Sequence, residues 1–120
     1  LLYNTKIKGF SFKFVADQKK AMVCLDIESY DKLKNELLFE QLLEVKSNLE
    51  NDYLADVIFD ELFLLDNGKI IHRIYVKYNN EFNIHNKNTW QGVYYFFNEA
   101  MNQFEEFYED FEDFIKRAIY

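Results

Sequence analysis

The stretch NTWQGVYYFFNEAMNQFEEFYEDFEDFIKRAI, residues 88–119, decides the architecture, because its apolar residues recur at helical spacing from end to end. Trp90, Phe97, Phe104, Phe111 and Ala118 stand seven apart, and Val93/Tyr94, Ala100/Met101, Phe107/Tyr108 and Phe114/Ile115 fill the half-periods. This predicts one long helix around which the remaining chain packs. The run Val93-Tyr94-Tyr95-Phe96-Phe97 is apolar on more than one side and predicts an enclosed N-terminal half. Glu105, Glu106, Glu109, Asp110, Glu112 and Asp113 mark a solvated face further on. Thirty-two residues at 1.5 Å each span about 48 Å, against roughly 35 Å for the diameter of a compact chain of this length. The C-terminal end should therefore overhang. Its Phe111, Phe114, Ile115 and Ala118 then need cover, from a second copy about a two-fold axis or from an upstream segment of the chain. Self-association is the preferred expectation.

In front of this helix lies a polar link, Asn79–Asn88, in which Asn86 or Asn88 can serve as a helix cap. Before the link, Val57, Phe59, Phe63 and Leu65 alternate up to Asp66-Asn67-Gly68-Lys69, and Ile70, Ile74 and Val76 alternate beyond it. Asn-Gly between alternating runs signals a two-residue type I′ hairpin. That register sets Leu65 against Ile70, Phe63 against His72, Glu61 against Ile74 and Phe59 against Val76, with Asp60, Leu62, Arg73, Tyr75 and Lys77 on the reverse side. Arg73, opposite Leu62 and one pair from Asp60, is expected to form an Arg–Asp pair across the sheet.

Residues 31–51 change to a helical period, with Leu38, Leu42, Val45 and Leu49 in one row, widened by Leu33, Leu37 and Phe39. At the front of the chain, Phe10, Phe12 and Phe14 alternate with Ser11, Lys13 and Val15, and after the break Ala16–Lys20 the residues Val23, Leu25 and Ile27 alternate with Cys24, Asp26 and Glu28. Pairing Phe14 with Val23, Phe12 with Leu25 and Phe10 with Ile27 sends these six apolar residues to one side. The predicted architecture is a single α+β domain of order β-β-α-β-β-α, two antiparallel hairpins forming one sheet with both helices on one face. The expected core joins Phe10, Phe12, Phe14, Val23, Leu25, Phe59, Phe63, Ile74 and Val76 to Leu38, Leu42, Val45, Trp90, Phe97 and Met101.

The 120 residues carry 19% aromatic side chains, a composition that favours a packed core over disorder. No stretch is long and apolar enough to span a membrane. The chain starts at Leu1 without a charged leader, so an upstream segment is expected and a signal peptide is not. A lone Cys24 within an apolar strand reads as a small buried hydrophobe, consistent with a reducing, cytoplasmic setting. The net charge of −7 opposes general attraction to nucleic acid. Yet residues 1–20 carry Lys6, Lys8, Lys13, Lys19 and Lys20 against Asp17 alone, while residues 99–113 carry seven acids and no base.

No arrangement of residues points to catalysis, a metal or a cofactor. Two isolated histidines and one cysteine fit no zinc spacing. Glu105, Glu109 and Glu112 share a helix face but lack the Glu-x-x-His partners of a carboxylate-bridged site, and Glu112/Lys116 and Asp113/Arg117 are oriented as solvated i,i+4 pairs. Asp66-Asn67-Gly68 lacks the remaining ligands of a calcium loop. Nucleophile elbows and phosphate-cradling glycine loops are absent. Glu44-Val45-Lys46, the one Glu-x-Lys, lies in a predicted helix rather than on a nuclease strand.

Several local strings, taken in order, resemble the domain-of-unknown-function family numbered 4268: Tyr3-Asn4-Thr5-Lys6, Ala16-Asp17-Gln18-Lys19-Lys20, Phe39-Glu40-Gln41-Leu42, Arg73-Ile74, and Asn86-Lys87 followed by Trp90. The resemblance covers essentially the whole chain. It implies a bacterial protein of a kind found alone or at the end of longer chains that carry a nuclease-like domain, with no established activity. The expected function is a non-catalytic interaction or assembly module. The alternative is an accessory nucleic-acid-binding domain using Lys6, Lys8, Lys13, Lys19, Lys20 and Arg73.

Overall fold

The computed structural model describes residues 2–120. Strands β1 (Phe10–Ala16) and β2 (Ala21–Ile27) form the first hairpin with Phe10 opposite Ile27, Phe12 opposite Leu25 and Phe14 opposite Val23, the register the alternation predicts. Asp17 closes it: its N–H donates to the Lys20 carbonyl at 2.9 Å, and its carboxylate accepts from the N–H groups of Lys19 and Lys20. Phe10 and Phe12 are buried. Phe14 departs from the expected core, being 43% exposed at the far end of an edge strand, with its ring 4.8 Å from that of Phe97.

The second apolar row forms two helices rather than one, α1 (Lys32–Glu44) and α2 (Lys46–Asp52). Asp31 caps α1 by accepting from the Lys34 N–H. At Val45 the backbone leaves helical geometry, and its N–H bonds the Leu42 carbonyl three residues back. The row Leu38, Leu42, Val45 and Leu49 nevertheless stays buried across the break. Leu33 and Leu37 do not widen it; they are exposed and line a shallow groove with Ala118, Ile119 and Tyr120.

Strands β3 (Ile58–Leu64) and β4 (Ile70–Lys77) complete an antiparallel sheet of order β1-β2-β4-β3. Their register differs from the type I′ expectation. Only Gly68 has a positive φ in this turn; Asn67 does not, as a type I′ turn would require. The Gly68 N–H bonds the Leu65 carbonyl and the Leu65 N–H bonds the Lys69 carbonyl, closing a three-residue loop, Asp66–Gly68. Leu64 therefore faces Ile70 and Phe63 faces Ile71, while beyond a bulge Asp60 faces Arg73 and Phe59 faces Ile74. The bulge absorbs Glu61 and Leu62 and inverts the phase, so Phe59 points to the helices and packs on Phe39, whereas Phe63 points to the opposite face and packs on Tyr75. Phe63 is thus not a core residue on the helix side.

Helix α3 (Trp90–Lys116) is 27 residues long and follows a 3-10 turn (Lys87–Thr89) capped by Asn86. At 1.5 Å per residue it spans about 40 Å, close to the longest dimension of the molecule, 46 Å. The fold is elongated along its organising helix, so no end overhangs. Between sheet and helices lies one core in which Phe10, Phe12, Val23, Leu25, Ile27, Ile74 and Val76 meet Leu38, Phe39, Leu42, Leu49, Met101, Phe104, Phe107 and Ile115. Trp90 packs instead at a smaller cluster of Ala21, Phe82 and Val93, and Phe97 packs against both clusters.

Candidate interaction surface

The N-terminal half of α3 is not enclosed. Tyr94 and Tyr95 are 58% and 69% exposed, because helical rotation over four residues gives this segment only one buried stripe, Val93, Ala100 and Met101, and no second layer covers its outer side. A groove of about 250 Å³ beside Tyr94 is lined by Phe82, Ile84, Trp90, Val93 and Phe97. The Trp90 indole N–H donates to the Ile84 carbonyl at 3.1 Å and fixes one wall. Beside Tyr95 a second groove, about 480 Å³, is lined by Tyr78, Phe96, Leu54 and Gln103. The Tyr78 hydroxyl lies so close to the helix backbone that a Cβ on Gly92 would sit 2.2 Å from it, so Gly92 is what lets that ring pack. Two exposed tyrosines thus stand between two aromatic grooves.

The opposite, C-terminal end of α3 is covered from within the chain. Ile115 is fully buried, and Phe111, Phe114 and Ala118 are partly buried. The Tyr53 ring lies 6.4 Å from that of Phe111, and the Gln41 side-chain amide donates to the Phe114 carbonyl at 2.7 Å. The N-terminal arm adds Tyr3, whose N–H donates to Glu105 and whose hydroxyl donates to Glu112 at 2.8 Å. Glu105 and Glu112 are therefore arm contacts rather than part of a purely solvated face. Of the apolar stripe expected to need a second copy, Ile115 is wholly used inside the fold and Phe111, Phe114 and Ala118 in part. Among the described residues, the Tyr108 hydroxyl is the buried side-chain oxygen without a hydrogen-bond partner.

The six basic residues singled out by sequence do not form one patch. Lys6 and Lys8 precede β1, Lys19 and Lys20 follow it, and all four are exposed. Lys13 is engaged between Glu28 at 2.5 Å and Asp26 at 3.3 Å. Arg73 is buried, with Nε and Nη2 donating to the two carboxylate oxygens of Asp26 at 2.8 and 2.9 Å. The Arg–Asp pair expected across the sheet exists, but its partner is Asp26 on β2 rather than Asp60. Asp26 within the otherwise apolar run Ala21–Ile27 was the readable signal for it. Cys24, fully buried, has its thiol pushed up to about 12 by burial, which removes it from thiolate chemistry. His72 stacks on Phe39, and its Nδ1 lies 2.7 Å from the Glu61 carbonyl.

No group of three or more His, Cys, Asp or Glu among the described residues is arranged to hold a metal ion, and no helix described is long and apolar enough to cross a membrane. Neither a curated protein nor a solved structure matches the chain. A family model described as a domain of unknown function, DUF4268, matches residues 1–112, and the chain belongs to that family.

Proposed function

We propose that this domain is a non-catalytic interaction module that docks a protein partner on the N-terminal half of α3. The observation that supports the reading is the pair Tyr94 and Tyr95, exposed on successive positions of a rigid helix and flanked by grooves on both sides. Tyrosines on a rigid element offer large contact area at low entropic cost, and aromatic anchors seated beside pockets carry most of the energy at protein interfaces. The rings contribute little to this chain's own core, so their removal separates binding from folding.

The test is a comparison of the full chain with a Tyr94→Ser, Tyr95→Ser variant, using retention of proteins from the source organism's extract. The expected result is at least one protein held by the wild type and weakened about a thousandfold in the variant, as for two anchors of about 2 kcal/mol each, at an unchanged thermal midpoint. A partner retained equally by both forms, or no retained partner, overturns the reading.

A further inference from the structure

We propose that the sheet face opposite the helices binds a phosphate group, in a groove of about 510 Å³ whose floor is the outward side of β4. There Arg73, Tyr75 and Lys77 occupy alternate positions and so point the same way. Lys19 and Lys20, from the β1–β2 turn, stand at the rim, and Phe63 forms part of the wall.

The donors are built in rather than merely nearby. Arg73 and Tyr75 are 4% and 9% exposed. Asp26 occupies Nε and one hydrogen of Nη2, and among the described residues no hydrogen bond engages Arg73 Nη1 or the Tyr75 hydroxyl. Neither atom is sealed in the interior, where Tyr108 alone of the described residues has an unpartnered side-chain oxygen or nitrogen, so both are open on the groove that their side chains line. The Phe63 ring, 4.2 Å from the guanidinium carbon, fixes the plane of the fork from one side while Asp26 fixes it from another. A guanidinium held in this way presents its free edge without further ordering cost.

Charge points to the same ligand. Four bases, Lys19, Lys20, Arg73 and Lys77, line the groove with Asp17 and Asp66, while Asp26 is shared between Arg73 and Lys13 and Asp60 stands opposite Arg73 on β3, in a chain whose net charge is −7. One oxygen of the Asp17 carboxylate, Oδ1, accepts from both the Lys19 and Lys20 amides. An acceptor-only oxyanion matches this set of donors. Both a free mononucleotide and a strand of nucleic acid carry such a phosphate. Lys6, Lys8 and Lys13 play no part in this site, whereas Lys77 and Tyr75 do. The groove meets the Tyr95 groove at Lys77 and Tyr78, which line both, but neither Tyr94 nor Tyr95 lines it.

The experiment titrates the isotopically labelled full chain with adenosine monophosphate, and separately with an oligothymidylate of about eight nucleotides, following backbone amide signals. Shifts at Met22, Arg73, Tyr75 and Lys77 that saturate with a Kd of about 1 mM are expected for the mononucleotide. Lys20→Glu with Lys77→Glu should weaken it about tenfold and Tyr75→Phe about threefold, with the thermal midpoint retained. Tyr94→Ser with Tyr95→Ser should leave it unchanged. Oligothymidylate bound at least about tenfold tighter, and weakened by salt, would assign the phosphate to a strand; equal affinity would assign it to a free nucleotide. An absence of shifts at about 10 mM mononucleotide, or binding that neither groove variant alters, overturns the proposal.

Discussion

The hairpins β1–β2 and β3–β4 have strands of similar length and Asp at the start of each connection, yet only the first pairs as its alternation dictates. In β1 and β2 one phase is nearly all apolar, so a slip of one residue would expose Phe10, Phe12, Leu25 and Ile27 together. In β3 both phases are mixed: Phe59, Glu61 and Phe63 in one, Ile58, Asp60, Leu62 and Leu64 in the other. Neither register buries a clean set. A bulge at Glu61–Leu62 therefore costs little hydrophobic burial and gains a ring over Arg73. Alternation fixes a register only where one phase wins clearly.

The strongest way to break the link between the two hairpins is at the pair that joins them, Asp26 of β2 with Arg73 of β4. Arg73→Ala strands a fully buried carboxylate, with only the half-exposed Lys13 near it. The expected loss is about 3–5 kcal/mol of unfolding free energy in urea denaturation. The double variant Asp26→Leu, Arg73→Leu should recover most of that loss, because no charge is then left unpaired. A single variant as stable as the wild type would show that water already solvates Asp26.

A second comparison uses one substitution in both hairpins. Gly9, at the entry to β1, has φ +76°, and an added Cβ would lie 2.5 Å from the Ser29 Cα. Gly68, in the β3–β4 loop, has φ +87° with nothing within 4 Å. Gly9→Ala should cost about 2–4 kcal/mol, backbone strain plus a clash with main chain, and Gly68→Ala about 1–2 kcal/mol from strain alone. Thermal melts of the two variants read the difference directly. Equal losses would mean that the Gly9–Ser29 contact yields freely and that conformation alone sets the cost.

These cases show how much was legible. The order of elements, the first register, the row Leu38–Leu42–Val45–Leu49 and the placing of Cys24 followed from periodicity, because each is decided by neighbours in sequence. A spherical molecule of this size would leave α3 overhanging, whereas this one measures 46 × 33 × 24 Å and has room for the helix along its length. The apolar run around Tyr94 and Tyr95 reads as enclosed, but sequence does not show how many layers surround a helix, and here the outer side is bare. Of the groove on the outer face, Lys19, Lys20 and Arg73 were legible as bases but not as neighbours: they join Tyr75 and Lys77 only through β2–β4 pairing, with Phe63 brought over them by the bulge. Sites made by strand neighbours distant in sequence leave no local pattern.

The smallest expected effect lies where a side chain holds the hairpins together at their corner. Glu28, just past β2, accepts from Lys13 of the first hairpin at 2.5 Å and approaches Lys69 of the second at 3.5 Å. Partial burial pushes the Glu28 carboxyl up, but the hydrogen bond and charge of Lys13, with Lys69 adding to them, outweigh it and hold the group below its ordinary 4.5. A carboxylate whose folded-state value is depressed stabilises the fold above the ordinary value. That contribution fades as pH falls through 4.5 toward the folded-state value, since the unfolded chain then takes up the proton first. The ion pairs are partly exposed and screened, so the contribution is about half a kcal/mol. Unfolding free energies from urea denaturation of the wild type and Glu28→Gln should differ by that amount at neutral pH and converge as pH falls through 4.5 and past the depressed folded-state value. A gap that persists undiminished in acid would assign the stabilisation to the packing of Glu28 rather than to its charge, and would leave Asp26–Arg73 as the electrostatic tie between the two hairpins.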